Sequence, residues 1–174
     1  MFGAIKDKIK KRSLKKKADK IRRRALFKPF SEMKSCLVVW ENSDIDARVV
    51  AVLEKKIKHG SLRKLRVITK SVSQTNSIAD EHYFKSVSLN DFNIQGDLKN
   101  AELEKLFTSK FDLILDLTTS KSELNLFTLK TWTNNLFSSY KDPLELADIC
   151  IEDSEDQFDF INKIIKTLTE NIDL

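Results

Sequence analysis

Apolar residues along this chain fall into two spacings. Short, nearly unbroken runs occur at Cys36–Trp40 (CLVVW), Leu65–Thr69 (LRVIT), Phe111–Leu117 (FDLILDL) and Ala147–Ile151 (ADICI). These have the pattern of strands covered on both faces. Elsewhere apolar residues recur every three or four positions, which predicts helices. One carries Ile45, Val49, Val52, Leu53 and Ile57, with Ser43 or Asp44 as its cap and Gly60 as its stop. A second opens at Asp97 or Asn100 and carries Leu98, Ala101, Leu103, Leu106 and Phe107. A third, capped by Ser122, carries Leu124, Phe127, Leu129, Trp132 and Leu136, and the last runs from Phe158 to Ile172. Two weaker strands are expected at Tyr83–Leu89 and around Ser138–Lys141, with a polar loop over Lys70–Ala79. Such strand–helix alternation builds an α/β fold, a mostly parallel sheet of five or six strands with helices on both faces.

The first 28 residues follow a different pattern. Phe2, Ile5 and Ile9 fall on one helical face, and Leu14, Ala18, Ile21 and Ala25 continue a thin stripe, while charge takes most of the circumference. Lys, Arg, Leu and Ala are good helix formers. Like charges four residues apart (Lys6–Lys10, Lys16–Lys20 and Lys20–Arg24 among them) oppose the helix in isolation. The expectation is a helix that firms up when its charge is neutralised and that Pro29 ends. This stretch holds 13 Lys and Arg against two acids, a balance of +11, whereas the remainder has 18 basic and 24 acidic residues, or −6. Residues 1–30 therefore read as a basic helical arm and linker, and 31–174 as a single α/β domain. A split of this kind points to a polyanionic partner for the arm.

Composition narrows the remaining choices. Cys36 and Cys150 lie far apart in apolar runs, so both are expected as buried thiols in a reducing compartment, bridged only if their strands are neighbours. No apolar run approaches the roughly 20 residues of a membrane span, and no apolar segment follows the basic start as in a signal peptide. A cytoplasmic protein is expected.

Candidate chemistry is sought beyond the carboxyl ends of the strands, where open α/β sheets hold their ligands. The residues there are Glu41, Asn42 and Asp44 after the first strand, and Asp116, Thr118, Thr119 and Ser120 after the central one. Glu152, Asp153, Glu155 and Asp156 follow the last. Acids such as Glu41, Asp116 and Asp153 either bind a ligand, for instance Mg²⁺, or cap helices and meet the helix dipole. Capping is the simpler expectation, because each helix needs a cap. The three glycines (Gly3, Gly60 and Gly96) are scattered, so no phosphate-cradling loop is present, and Glu41-Asn42-Ser43-Asp44 would repel a phosphate. His59 and His82 stand at no metal-ligand spacing from either cysteine. The expectation is a protein that is not an enzyme, with no catalytic residues, no metal and no cofactor.

Three stretches together resemble a known group of proteins: the basic helix running into Lys34–Trp40 (KSCLVVW), the strand FDLILDL with Asp112 and Asp116, and the ending ADICIEDSEDQFDFINKIIKTL (Ala147–Leu168). The whole chain resembles an uncharacterised family of small Rossmann-like proteins from Bacteroidetes. That resemblance implies the fold and carries no catalytic residues. Phe111–Trp132 also resembles the amino-terminal half of heptosyltransferase-type glycosyltransferases, whose second, nucleotide-sugar-binding domain has no counterpart here.

The arm's composition bears on its partner. Mixed Lys and Arg recur in Lys10-Lys11-Arg12, Lys15-Lys16-Lys17, Lys20 and Arg22-Arg23-Arg24, so that basic groups nearly surround the helix. This suits structured RNA, such as that of the ribosome, bound through phosphates. With no aromatic residues among the clusters, base stacking is not indicated. An anionic membrane surface is the alternative, with Phe2, Ile5 and Ile9 dipping into the headgroups. A degenerate glycosyltransferase-like domain and a protein partner for the acidic body are the remaining readings.

Overall fold

The computed structural model describes residues 2–18, 20, 25, 27–41, 47–59, 62–69, 84–119, 135–142 and 147–170. Helix α1 (Phe2–Ala18) leads into a 3-10 turn (Phe30–Glu32) and strand β1 (Ser35–Trp40). Then come α2 (Ala47–His59), β2 (Lys64–Thr69), β3 (Phe84–Ser86), a 3-10 turn (Leu89–Asp91) and α3 (Ala101–Thr108). Strands β4 (Leu113–Asp116), β5 (Leu136–Ser139) and β6 (Ile149–Cys150) follow, and α4 (Gln157–Glu170) closes the chain. The six strands form one sheet in the order β3-β2-β1-β4-β5-β6, and every neighbouring pair is parallel. The fold is α/β and Rossmann-like. Its chain reversal, or topological switch point, lies between β1 and β4.

The unbroken run in β1 resolves into two alternating sets, because successive side chains point to opposite faces. Cys36, Val38 and Trp40 pack with Val49 and Leu53 of α2 and with Phe160, Ile161 and Ile164 of α4. Leu37 and Val39 face the other way and pack with Leu103 and Leu106 of α3, together with Phe92, Phe111, Ile114 and Phe137. Two helix layers thus bury both faces of β1, whose last five residues are at most 1% exposed. Phe30 and Met33 join the α2/α4 side, so the core begins before the first strand.

Of the two openings expected for α3, Asn100 is the cap. Its side chain accepts hydrogen bonds from the Glu102 and Leu103 amides. Asp97 instead closes the turn before it, where the Asn93 amide bonds the Asp97 carbonyl and Gly96 takes the left-handed backbone a β-carbon would oppose.

Several expectations are corrected. The described helix of the arm ends at Ala18; Lys20 lies in a turn, and Ala25, Phe27 and Lys28 are not helical. Pro29, with φ −54° and ψ 144°, disfavours a helical Lys28 before it. Leu136, expected on a helix, opens β5 and is buried opposite Leu113, because parallel pairing with β4 recruits it. Cys150 is exposed, since β6 is a two-residue strand at the sheet edge. Strands β4 and β5 lie between it and Cys36, and both thiols are free. The expected helix after Ser122, the caps Ser43 and Asp44, and the Lys70–Ala79 loop lie outside the described residues.

Candidate functional site

A parallel sheet has two chemically distinct edges, and this one carries a different device at each. At the carboxyl edge the switch point is spanned by side chains. Glu41, following β1, accepts hydrogen bonds at Oε2 from both the amide and the hydroxyl of Thr119, each at 3.2 Å. Asp116, the last residue of β4 and fully buried, accepts from the Thr118 amide at 3.0 Å and the Thr118 hydroxyl at 2.7 Å. The first of these is an Asx-turn, in which a carboxylate substitutes for a backbone acceptor two residues on. The Ser139 hydroxyl of β5 approaches its other oxygen at 3.5 Å. Gln157, at the start of α4, donates to the Leu117 carbonyl at 2.7 Å. The crevice where this strand order holds a dinucleotide in other proteins is therefore crossed by bonds linking β1, β4, β5 and α4.

The last group of strand-end acids sits around the start of α4. Asp156 Oδ1 accepts from the Asp159 amide at 2.7 Å, and Asp159 in turn accepts from the Glu155 amide at 3.1 Å. Asp156 thus caps the helix start while Asp159 ties back the residue before the cap, and both carboxylates meet the positive end of the helix dipole. The Asp159 amide bond, offset in part by burial and reinforced by Arg48, holds the Asp156 carboxyl below its ordinary range. Arg48 bonds Asp156 at 3.0 Å and lies over the Phe158 ring, 4.9 Å from its centre. Asp153 contributes its backbone carbonyl to Lys163. Among the described residues no group of three His, Cys, Asp or Glu side chains is arranged to hold a metal ion.

At the amino edge one carboxylate gathers the donors. Asp112 Oδ2 accepts from the Lys34 amide at 3.0 Å, the Ser35 amide at 3.1 Å and the Ser35 hydroxyl at 3.0 Å, while Lys28 Nζ donates to Oδ1 at 2.7 Å. The Asp112 amide returns a bond to the Ser35 carbonyl. Burial works to raise the Asp112 pKa, but Lys28, the Lys34 amide and Ser35 together outweigh it and hold the carboxyl below the usual range. This clamp joins the starts of β1 and β4 and fixes the last residues of the arm to the sheet. Sequence reasoning placed Asp112 in an apolar strand and assigned it no partner. Its pairing with residues about 80 positions away left no local signal.

The predicted binding residues lie along the arm. Lys10, Lys11, Arg12, Lys15, Lys16 and Lys17 belong to α1, where Arg12 and Lys16 are exposed, as is Lys20 beyond it. Arg22, Arg23 and Arg24 lie outside the described residues. Lys6, Lys8, Ile5 and Ile9 are exposed too, the isoleucines at 53% and 42%. At 100° per residue the exposed Lys6, Lys8, Arg12 and Lys16 cover an arc of about 160°, and Ile5 and Ile9 fall inside it. Charge and apolar surface are thus interleaved on the exposed arc. No described helix is long and apolar enough to cross a membrane.

A six-stranded parallel sheet with a bridged switch point and a basic amino-terminal helix defines a Rossmann-like α/β protein with a charged arm. The chain belongs to a family of unknown function, DUF6913, whose model matches residues 6–170 and so takes in most of the arm as well as the sheet. No curated protein and no solved structure matches it.

Proposed function

We propose that the protein is a non-enzymatic binding protein whose basic N-terminal helix anchors it to structured RNA, such as that of the ribosome, through phosphate contacts. The interleaving of Lys6, Lys8, Arg12 and Lys16 with Ile5 and Ile9 on one exposed arc carries this reading. A helix that lies on a membrane separates an apolar face from a charged one. A helix set among phosphates needs charge on every side that meets them. Helix α1, at 17 residues, is about 26 Å long, enough to pass several phosphates. The clamp at Asp112 gives the arm a fixed footing on the sheet, so that the sheet is carried to the same partner. Its acidic carboxyl edge is then left for a protein partner.

The exposure of Ile5 and Ile9 favours a second reading, attachment to anionic lipid, in which the isoleucines enter the headgroup layer. The glycosyltransferase-like alternative rests on the resemblance of Phe111–Trp132 alone. It is weakened because the nucleotide-sugar-binding domain of those enzymes is a second domain with no counterpart in this chain.

The test is co-sedimentation of the full chain with ribosomes and with phosphatidylserine vesicles at two salt concentrations. A Lys10→Gln/Lys11→Gln/Arg12→Gln variant runs alongside. RNA anchoring at five phosphates predicts ribosome binding whose logarithm falls with log salt at a slope of about −3.5 to −4.5, and a shallower slope for the variant. Vesicle binding without ribosome binding would overturn the proposal in favour of lipid.

A further inference from the structure

The net −6 of residues 29–174 conceals a second basic surface. In a parallel sheet, residues that immediately precede the strands collect at one edge. Ahead of three adjacent strands that edge carries cations: Lys34 precedes β1, Arg63 precedes β2, which Lys64 opens, and Lys110 stands shortly before β4. Asp112, Asn135 and Asp148 directly precede β4, β5 and β6. Contacts tie Lys34, Arg63 and Lys64 together. The Arg63 and Lys64 amides both donate to the Lys34 carbonyl, at 2.8 and 3.0 Å. The Lys34 amide bonds Asp112, and Lys64 Nζ lies over the Phe111 ring, 4.7 Å from its centre. Lys34, Arg63 and Lys110 are exposed. Strands β2, β1 and β4 are adjacent, so the group spans about 10 Å.

We propose that this amino edge is a second phosphate-binding surface, continuous with the arm through the Lys28–Asp112 footing, and that Lys34, Arg63, Lys64 and Lys110 bind the sugar-phosphate backbone of the RNA held by α1. The inference rests on the reading of the arm as an RNA anchor and extends it to the sheet. Three observations support it. Asp112, the carboxylate within the group, is already engaged by Lys28 at 2.7 Å and so does not neutralise the outward cations. Burial, and after it the charge of Arg66, pushes the Lys64 ammonium below its ordinary pKa, so a further cation lies close to the group. At the opposite edge the exposed acids Glu152, Asp153 and Glu155 outnumber the cations Lys141 and Lys163 beside them, so the sheet is polarised and a polyanion would draw its amino edge inward. Glu32 and Asp148 are the other acids at the amino edge. Asp148 Oδ2 accepts from the Phe137 amide at the far side of the sheet.

The experiment compares four full-length proteins: wild type, Lys34→Gln/Arg63→Gln/Lys110→Gln at the amino edge, Lys10→Gln/Lys11→Gln/Arg12→Gln in the arm, and Glu152→Gln/Asp153→Asn/Glu155→Gln at the carboxyl edge. Lys64 is left in place because it packs on Phe111. Affinity for a hairpin RNA of about 20 base pairs is followed by fluorescence anisotropy across salt, with thermal midpoints to confirm that each variant folds. The amino-edge variant is expected to keep its midpoint, bind several-fold more weakly and lose about 2 from the magnitude of the salt slope, at 0.7–0.9 per phosphate contact. An unchanged slope in that variant, alongside a weakened arm variant, would overturn the second surface while leaving the arm's role standing. If the carboxyl-edge variant tightens binding as much as the amino-edge variant weakens it, the effect is net charge and the proposal also falls. Failure of the wild type to bind the hairpin removes the arm reading and this extension with it.

Discussion

Asp112 and Asp116 stand four residues apart in one strand segment and do opposite work. Asp116, at the carboxyl edge, is sealed from water and holds the loop after β4 against β5 through Thr118 and Ser139. Asp112, at the amino edge, is partly exposed and receives a lysine from a segment 84 residues earlier. At the carboxyl edge, where proteins of this topology bind cofactors, the described side chains of Glu41, Asp116 and Gln157 bond to the protein itself. The amino edge, which the topology does not favour as a ligand site, is where the arm is moored. Fold alone therefore does not locate function.

Substitutions can break this contrast. The largest effect is expected from Asp116→Ala, which strips a fully buried acceptor from the Thr118 amide and hydroxyl and should cost roughly 3 kcal/mol. Urea unfolding reads the loss, and RNA binding by the folded fraction should be unchanged. Weakened binding by the folded protein would return the carboxyl edge to consideration as a site.

Asp112→Ala should cost about 2 kcal/mol, since it leaves the Lys34 and Ser35 amides without their acceptor. The pH dependence sharpens this. The Asp112 carboxyl titrates lower in the folded chain than in the unfolded one. Its stabilisation is therefore complete above the unfolded value of about 3.9 and is lost as pH falls through the folded value. Denaturation midpoints of wild type and Asp112→Asn should differ at neutral pH and converge in acid. Equal midpoints at pH 7 would mean that the clamp contributes nothing.

A smaller loss, about 1 kcal/mol, is expected for Asn100→Ala, which removes a cap away from both edge devices and calibrates the other two. The smallest is Lys28→Met. At 41% side-chain exposure, the Lys28 ion pair should be worth about 0.5 kcal/mol, measured as a shift in thermal midpoint. If Lys28→Met nevertheless changes the salt slope of RNA binding, the clamp orients the arm rather than merely holding it.

Much of the fold was legible because burial on two faces imposes its own pattern. A strand between two helix layers is apolar at most positions, and CLVVW and LILDL, with Asp116 the one exception, stand out for that reason. The charge split between arm and body was equally plain. The site was less so. Lys34, Arg63 and Lys110 do precede strand runs, a signal open to inspection, but open α/β sheets hold their ligands at the opposite ends of the strands.

The sequence by itself determined the order of the described strands and helices, a cap at Asp97 or Asn100, and the concentration of positive charge in the first 28 residues. These depend on spacing, capping chemistry and composition, all local properties. Only the tertiary structure decided that Leu136 pairs with Leu113, that Cys150 is exposed at an edge, that Glu41 reaches Thr119, and that Asp112 joins Lys28 to the starts of two strands. Each of these joins residues brought together by strand order and register, and neither is written in the spacing of any one segment.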